Sequence, residues 1–104
     1  MNRKIICEGE RFMKIIKRSG SEVAFDPQKI VTAVTKANES VVPSARMSAI
    51  QIKRIAEDVE SAAQNMNRSL SVEEIQDMVE DQIMNQRAFD VARRYITYRY
   101  RRAL

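Results

Sequence analysis

Residues 15–30 have the sequence IIKRSGSEVAFDPQKI, in which a β-hairpin signal is followed directly by the start of a helix. Two β-branched residues lead into a Ser19-Gly20 turn, and a short alternating segment at residues 22–25 leads out of it, a pattern typical of two short strands joined by a tight turn. Asp26 offers a side-chain oxygen at the N-cap, and Pro27 suits the first helical position because its missing N–H is not needed there. The sequence therefore predicts a hairpin that runs directly into a helix N-terminus.

Three cations, Lys17, Arg18 and Lys29, are expected to come together at this junction. Free backbone N–H groups and the positive end of a helix dipole favour bound phosphate, and Gly20 lacks a side chain that would keep a phosphate off the backbone. One interpretation is a nucleotide phosphate site, and the other is a solvated hairpin tip with ordinary surface cations. The short motif KRSG alone does not decide between them.

The composition of the 104-residue chain fits a single domain with one core. Eighteen basic and fourteen acidic residues give a net charge of +4, which suits phosphate-bearing ligands without requiring nucleic acid. The one cysteine, Cys7, excludes an intramolecular disulfide and a Cys-based zinc site, and it suits a reducing cytoplasm. No apolar run approaches the ~20 residues of a membrane span, so the sequence predicts a cytoplasmic protein without membrane contact.

Catalytic residue types are scarce in this chain. Histidine is absent, which removes the commonest general base and the commonest metal ligand. Neither a P-loop nor a Gly-rich dinucleotide loop is present, and five acidic residues between positions 73 and 81 indicate a solvated helix face with no metal site. The sequence therefore predicts binding without catalysis.

Helical periodicity after residue 26 predicts four helices, which gives an α+β fold: a small β-hairpin or three-stranded sheet packed on a four-helix bundle. The helices are expected from Pro27 to about Asn38, from about Ala45 to Asn65, from a Ser71–Glu74 capping box onward, and over residues 88–102. The predicted core positions are Ile30, Val31, Ala33, Val34, Ala37, Ile52, Ile55, Val59, Ala62, Ala63, Met66, Val72, Ile75, Val79, Ile83, Ala88, Val91, Ala92, Tyr95, Ile96 and Tyr98.

Four separated motifs together resemble the ATP-cone family: KRSG at residues 17–20, FDPQKI at 25–30, LSVEEIQ at 70–76 and VARRYITYR at 91–99. The resemblance begins near Met13, so residues 13–104 are expected to form the domain, and residues 1–12 are either a variable N-terminal extension or an edge strand. It implies a regulatory domain that senses ATP against dATP, found mainly at the N-terminus of ribonucleotide reductases and in the bacterial repressor of their genes. The anaerobic ribonucleoside-triphosphate reductases are the most similar context.

The resemblance also implies roles for individual residues. Phosphate binding falls to Lys17, Arg18, Gly20, Lys29 and Arg101. The base and ribose pocket is formed by Val23, Phe25, Asp26, Ile30, Val72, Ile75 and Gln76, with Asp26 as a hydrogen-bond acceptor and Gln76 as a polar reader of the base. The chain departs from the family pattern at Ser19, where Asp is frequent, and at Val23, where some members carry a carboxylate. Val23 cannot make a contact that depends on an acidic side chain at this position.

As a further implication of the resemblance, ATP or dATP, with Mg²⁺ on the phosphates, binds between the hairpin and the helices. Bound nucleotide then shifts an oligomeric equilibrium, either of a homo-oligomer or together with the catalytic domain of a reductase. ATP and dATP differ by one hydroxyl. A site that hydrogen-bonds this hydroxyl rejects the analogue without it strongly only if the site's own polar groups are then left unpaired.

Two alternatives to a nucleotide-binding domain follow from the residues. The arginine-rich end, residues 93–102, interleaves aromatic and basic residues as nucleic-acid-binding or repressor modules do. A helical wheel, however, places Tyr95 and Tyr98 with the apolar stripe, and arginines suit the negative C-terminal end of a helix. The zinc ribbon of the family's repressor cannot be built from Cys7 alone, so nucleic-acid binding is not expected. A helical module that serves only a protein partner is the other alternative, and it predicts no response to nucleotides.

Overall fold

The computed structural model describes the backbone of residues 14–103 and the side chains of residues 14–101. The alternatives considered for residues 1–12 therefore lie outside the described residues. Three strands and four α-helices are present in this part of the chain, which confirms the α+β prediction. In chain order the elements are β1 (Lys14–Ile16), β2 (Glu22–Ala24), α1 (Pro27–Glu39), a 3₁₀ turn (Pro43–Ala45), α2 (Ala49–Asn65), β3 (Leu70–Ser71), α3 (Val72–Asn85) and α4 (Phe89–Ala103).

Strands β1 and β2 form the predicted hairpin, with Ile15 opposite Val23 in an antiparallel register. Two backbone bonds of 2.8 Å close the turn: the N–H of Lys17 donates to the carbonyl of Ser21, and the N–H of Gly20 donates to the carbonyl of Lys17. Gly20 has φ +95°, a conformation that residues with a side chain rarely adopt. The glycine is therefore required by the backbone of the turn.

The third strand of the sheet, β3, was not located by sequence reasoning. It pairs in parallel with β1, where Leu70 lies opposite Ile15, and the sheet has the order β2-β1-β3. A strand of two residues is too short to show a period, and its partner is distant in sequence. Because β3 runs directly into α3, the sheet holds the N-terminus of α3 close to the hairpin.

The predicted starts of α1 and α3 are confirmed by their caps. Asp26 Oδ1 accepts the N–H of Gln28 at 3.0 Å. At α3 the hydroxyl of Ser71 accepts the N–H of Glu74, while the Glu74 carboxylate accepts the N–H of Ser71, at 3.1 and 2.9 Å. Both caps use residues within three positions of each other, so the local sequence contains the whole signal.

The predicted start of α2, near Ala45, is wrong by four residues. Residues Pro43–Ala45 form a separate 3₁₀ turn, and α2 begins at Ala49 behind a second capping box. In that box the Gln51 N–H donates to the Ser48 hydroxyl at 3.2 Å, and the Ser48 N–H donates to the Gln51 side chain at 2.8 Å. The pattern Ser-x-x-Gln was present in the sequence and would have given the correct start.

The helices pack as a closed ring, because α1 and α3 each contact both α2 and α4. The largest fully buried side chains are Val34, Ile55, Val59, Leu70, Val79, Ile83 and Val91. Among the residues the structure describes, no helix combines the length and the apolar character of a membrane span.

Three predicted core residues are exposed instead: Ala62, Met66 and Ile96. Ala62 lies at the edge of the buried face of α2, and Met66 is the C-cap residue at which that helix ends. Ile96 lies at the edge of the buried face of α4, about 40° from Ala92 but about 100° from Tyr95, because each residue advances the helix by about 100°. The apolar faces predicted for α2 and α4 were therefore wider than the faces that these helices bury.

Candidate functional site

A cavity of about 660 Å³ lies between the hairpin, α1, the N-terminal turn of α3 and α4. Its volume is in the range of small-molecule sites in proteins. Ten of the twelve residues that the sequence analysis assigned to nucleotide binding line it: Lys17, Arg18, Val23, Phe25, Asp26, Lys29, Ile30, Val72, Ile75 and Gln76. Folding thus brings together residues that are up to 59 positions apart in the chain.

Gly20 and Arg101 do not line the cavity. Gly20 lies in the hairpin turn, where a Cβ atom would meet no other atom within 4 Å. Arg101 is exposed near the end of α4, about one turn beyond Tyr98, which does line the cavity. The structure therefore gives Gly20 a backbone role and leaves Arg101 outside the cavity wall.

Four cations line the cavity, and one of them was not assigned by the sequence analysis. Lys36 joins Lys17, Arg18 and Lys29. It lies seven residues after Lys29, so the two lysines are about two turns apart on the same face of α1. That spacing was visible in the sequence and would have identified Lys36. The carboxylates on the cavity wall are Asp26 and Glu73, so the charged lining is positive in balance.

Backbone N–H groups at the junction are largely used within the fold, contrary to the expectation of free donors. The N–H groups of Lys17 and Gly20 close the hairpin turn. Those of Gln28 and Lys29 donate to the side chain and to the carbonyl of Asp26, at 3.0 Å each. Attraction for an anion at this junction therefore depends on the cationic side chains rather than on a cradle of these four N–H groups.

The apolar part of the wall includes two tyrosines of α4, Tyr95 and Tyr98, in addition to the predicted residues. Tyr95 is buried, as predicted, and burial raises the pKa of its phenol well above the ordinary value, so the phenol stays neutral. The Nζ atom of Lys36 lies 6.0 Å from the centre of the Tyr98 ring, at the limit of a cation–π contact. Apolar and aromatic walls of this kind suit a planar heterocycle.

The N-terminus of α3 is fixed by Glu74, which is not part of the cavity lining. Besides its bonds with Ser71, Glu74 Oε2 accepts from the guanidinium of Arg68 at 2.8 Å. The hydrogen bond from Arg68, followed by that from the backbone of Ser71, lowers the pKa of Glu74 to about 2. This arrangement holds Val72 and Glu73 at the cavity wall.

Two of the four arginines whose side chains are described in α4, Arg93 and Arg99, are paired with carboxylates. Arg99 donates to Asp77 at 2.8 Å and also to Glu80, which joins α4 to α3. Arg93 pairs with Asp90 at 2.6 Å within α4. With its central tyrosine buried and these arginines bound to carboxylates, this helix packs as the sequence predicted and offers no observation in favour of nucleic-acid binding.

Comparison with known protein families supports the resemblance found in the motifs. The model of the ATP cone domain matches residues 13–104. The chain belongs to the ATP-cone family.

Individual relatives of this ATP-cone domain are ribonucleotide reductases. The chain is 40% identical over 97 residues to a ribonucleoside-diphosphate reductase subunit alpha of Chlamydia pneumoniae, a match that covers 86% of this chain and 9% of the relative. It is 38% identical over 94 residues to a vitamin B12-dependent ribonucleoside-diphosphate reductase of Thermoplasma acidophilum, and 35% identical over 91 residues to an anaerobic ribonucleoside-triphosphate reductase of Haemophilus influenzae. Each of these two matches covers 86% of this chain and 12% of the relative.

The ATP-cone domain thus spans about a tenth of the length of these reductases. The similarity concerns this one domain, and the remaining nine-tenths of each reductase have no counterpart in the chain. The chain therefore resembles a regulatory part of a reductase rather than a whole enzyme.

Proposed function

We propose that residues 13–104 act as a regulatory domain that binds ATP or dATP in the cavity between the hairpin, α1, α3 and α4. One observation carries this proposal: ten residues assigned from separated motifs line a single cavity whose charged side chains are mostly cationic. If the hairpin tip were only a solvated surface turn, its cations would not be expected to line the same cavity as the apolar residues of the predicted base pocket.

The lining divides into a charged part and an apolar part, which suits the two halves of a nucleotide. Lys17, Arg18 and Lys29 would contact the phosphates, since side-chain cations are the anion-binding groups at the hairpin and the start of α1. Phe25 and Ile75 belong to the apolar part of the wall, against which the adenine ring would pack.

Two polar residues are placed to contact the sugar or the base. Asp26 already accepts one N–H from α1, and a carboxylate can accept further hydrogen bonds from a ribose hydroxyl. Gln76 offers both a donor and an acceptor to the base.

A Mg²⁺ ion fits this site only as a companion of the phosphates. Among residues 14–101 no group of three or more side chains of the metal-ligating types is placed to hold an ion. Magnesium is commonly bound through phosphates, several waters and one or two carboxylates, and Asp26 and Glu73 are the carboxylates at the wall. The ion would supply charge neutralisation for the triphosphate.

Regulation in this proposal requires that nucleotide binds two states of a larger assembly with different affinities. The assembly would be a homo-oligomer of the chain or a complex with the catalytic part of a ribonucleotide reductase. Support comes from the family assignment and from the reductase relatives. Sedimentation of the chain with and without ATP or dATP, at several protein concentrations, measures whether nucleotide changes the oligomeric state.

Thermal unfolding with Mg²⁺ and either ATP, dATP or GTP tests the nucleotide site directly. A ligand at about 100 times its Kd stabilises a protein by about 2.7 kcal/mol, which raises the Tm of a domain of this size by on the order of 10 °C. We expect this shift with the adenine nucleotides and not with GTP, and we expect Lys29→Ala to abolish it.

Lys53→Ala is the matched control, because Lys53 is exposed on α2 and lies outside the cavity lining. It removes the same charge and should retain the full shift. If no nucleotide moves the Tm of the unsubstituted chain, the site assignment is wrong and a module that serves only a protein partner becomes the better interpretation.

A further inference from the structure

One cation at the cavity wall is paired with an anion of the protein itself. Arg18 Nη2, from the hairpin turn, lies 2.7 Å from Glu73 Oε2, from the first turn of α3. Both residues line the cavity, and their side chains retain 62% and 41% of their exposure. The pair therefore connects the hairpin to α3 at the cavity wall, in a position that solvent and ligands can reach.

Glu73 differs from its neighbour Glu74 in what it does for the fold. Glu74 caps α3 and pairs with Arg68, outside the cavity lining. Glu73 takes no part in the capping box, and its described partner is Arg18. Its carboxylate also lies in the first turn of α3, where an anion is stabilised by the helix dipole. The Glu73 carboxylate is thus bound to a guanidinium and lies at the positive end of a helix, and both of these features would attract a phosphate.

We propose that Glu73 is a built-in competitor of the ligand's phosphate for Arg18. Without nucleotide, its carboxylate neutralises Arg18 and connects the hairpin to α3. Bound phosphate replaces that carboxylate as the partner of the Arg18 guanidinium. This inference rests on the proposed function, and it identifies Glu73 as a residue that lowers the affinity for nucleotide. An exposed pair of this kind is weak enough for a phosphate to displace.

The experiment compares the Kd for Mg²⁺-ATP of the unsubstituted chain with that of Glu73→Gln, by isothermal titration calorimetry. Removing the competing charge should tighten binding by roughly three- to fivefold, the upper part of the range expected for one exposed ion pair. Asp81→Asn is the matched control, because Asp81 is exposed on the same helix about 12 Å further along, at ~1.5 Å per residue. It changes the net charge equally and should alter the Kd by less than about twofold.

A double-substitution cycle tests whether Glu73 acts through Arg18. In an Arg18→Gln background, the gain from Glu73→Gln should fall to less than about twofold, because no guanidinium remains to be released. Circular dichroism of each variant shows whether the helices are retained.

Three results would overturn the inference. Weaker binding by Glu73→Gln would make Glu73 a ligand contact, for example to Mg²⁺. An equal gain in Asp81→Asn would show a general effect of net charge, and an equal gain without Arg18 would show that Glu73 repels phosphate directly. Failure of the proposed function has a different signature, since neither the unsubstituted chain nor Glu73→Gln would then bind ATP.

Discussion

Two of the polar contacts that connect separate segments of this domain are built in opposite ways. Asn38, near the end of α1, is buried at 8% exposure, and its amide makes two bonds with the backbone of Met47: Nδ2 donates to the carbonyl at 3.0 Å, and Oδ1 accepts the N–H at 2.7 Å. The Arg18–Glu73 pair consists of full charges, and both side chains are largely or partly exposed.

The comparison shows that the strength of such a contact depends more on its surroundings than on its charge. A buried hydrogen bond cannot be replaced by water, so breaking it leaves unpaired polar groups in the core. An exposed ion pair exchanges readily with water and salt, and contributes little. The loop between α1 and α2 is therefore fixed, whereas the connection between the hairpin and α3 can be exchanged for a ligand.

The largest expected effect is that of removing the buried contact. Asn38→Ala leaves the N–H and the carbonyl of Met47 without their partner, at about 1–3 kcal/mol for each unsatisfied group. We expect a loss of about 2–4 kcal/mol in the free energy of unfolding, measured by urea denaturation. Asn65→Ala, at the exposed end of α2, is the control and should change it by less than about 0.5 kcal/mol. Equal losses in the two variants would contradict the assigned role of Asn38.

An intermediate effect on stability is expected from removing the charge of Glu74. This residue is partly exposed, like the Arg18–Glu73 pair, but it belongs to a capping box. The hydrogen bonds from Arg68 and from the backbone of Ser71 lower its pKa in the folded protein to about 2, from an ordinary value of 4.5. A lowered folded pKa contributes stability that is complete above pH 4.5 and is lost as the pH falls towards 2. The Tm of the unsubstituted chain should therefore fall more steeply over this range than the Tm of Glu74→Gln.

The substitution Glu74→Gln is conservative, because α2 of the same chain uses glutamine at the corresponding position of its own capping box. Glu57→Gln, at an exposed position of α2, serves as the control and should follow the unsubstituted chain between pH 4.5 and 2. If Glu74→Gln loses Tm over this range as steeply as the unsubstituted chain, the stabilisation does not come from the Glu74 charge.

The smallest expected effect is that of the Arg18–Glu73 pair on the stability of the nucleotide-free domain. Arg18→Gln should change the free energy of unfolding by no more than about 1 kcal/mol, as for other exposed pairs. Urea denaturation at low and at high salt measures this, and the difference from the unsubstituted chain should shrink as salt screens the pair. A loss as large as that of Asn38→Ala would mean that the pair is a structural contact that a phosphate could not displace.

Much of the fold was predictable because its signals are local. The hairpin turn, the Asp26 cap and the Ser71–Glu74 capping box each depend on residues within a few positions, and the structure confirms all three. Strand β3 was missed because its existence depends on pairing with β1. The start of α2 was misplaced because the helix was expected directly after the break at Pro43 and Ser44, although Ser48 and Gln51 carried the correct signal.

The candidate site was also predictable only in part, because some of its residues belong to local motifs and others do not. Residues in the motifs at 17–30 and 70–76 were assigned from the sequence, and the structure places most of them on one cavity. Tyr95 and Tyr98 were recognised as packing residues, but their place in the cavity wall depends on how α4 crosses α1, which no local pattern specifies. Glu73 was assigned to a solvated face, since its pairing with Arg18 requires the hairpin and α3 to be adjacent.

The parallel pairing of β1 with β3 has a consequence for how the domain folds. It joins Ile15 to Leu70, so the chain must close a loop that contains all of α1 and α2, and closing a long loop costs entropy before its contacts compensate. Helices α1 and α2 are adjacent in sequence and in contact, and can dock without that closure. The cavity takes its walls from both sides of the β1–β3 junction, so it is complete only once these two strands have paired. A nucleotide that binds there would slow unfolding more than it would speed folding.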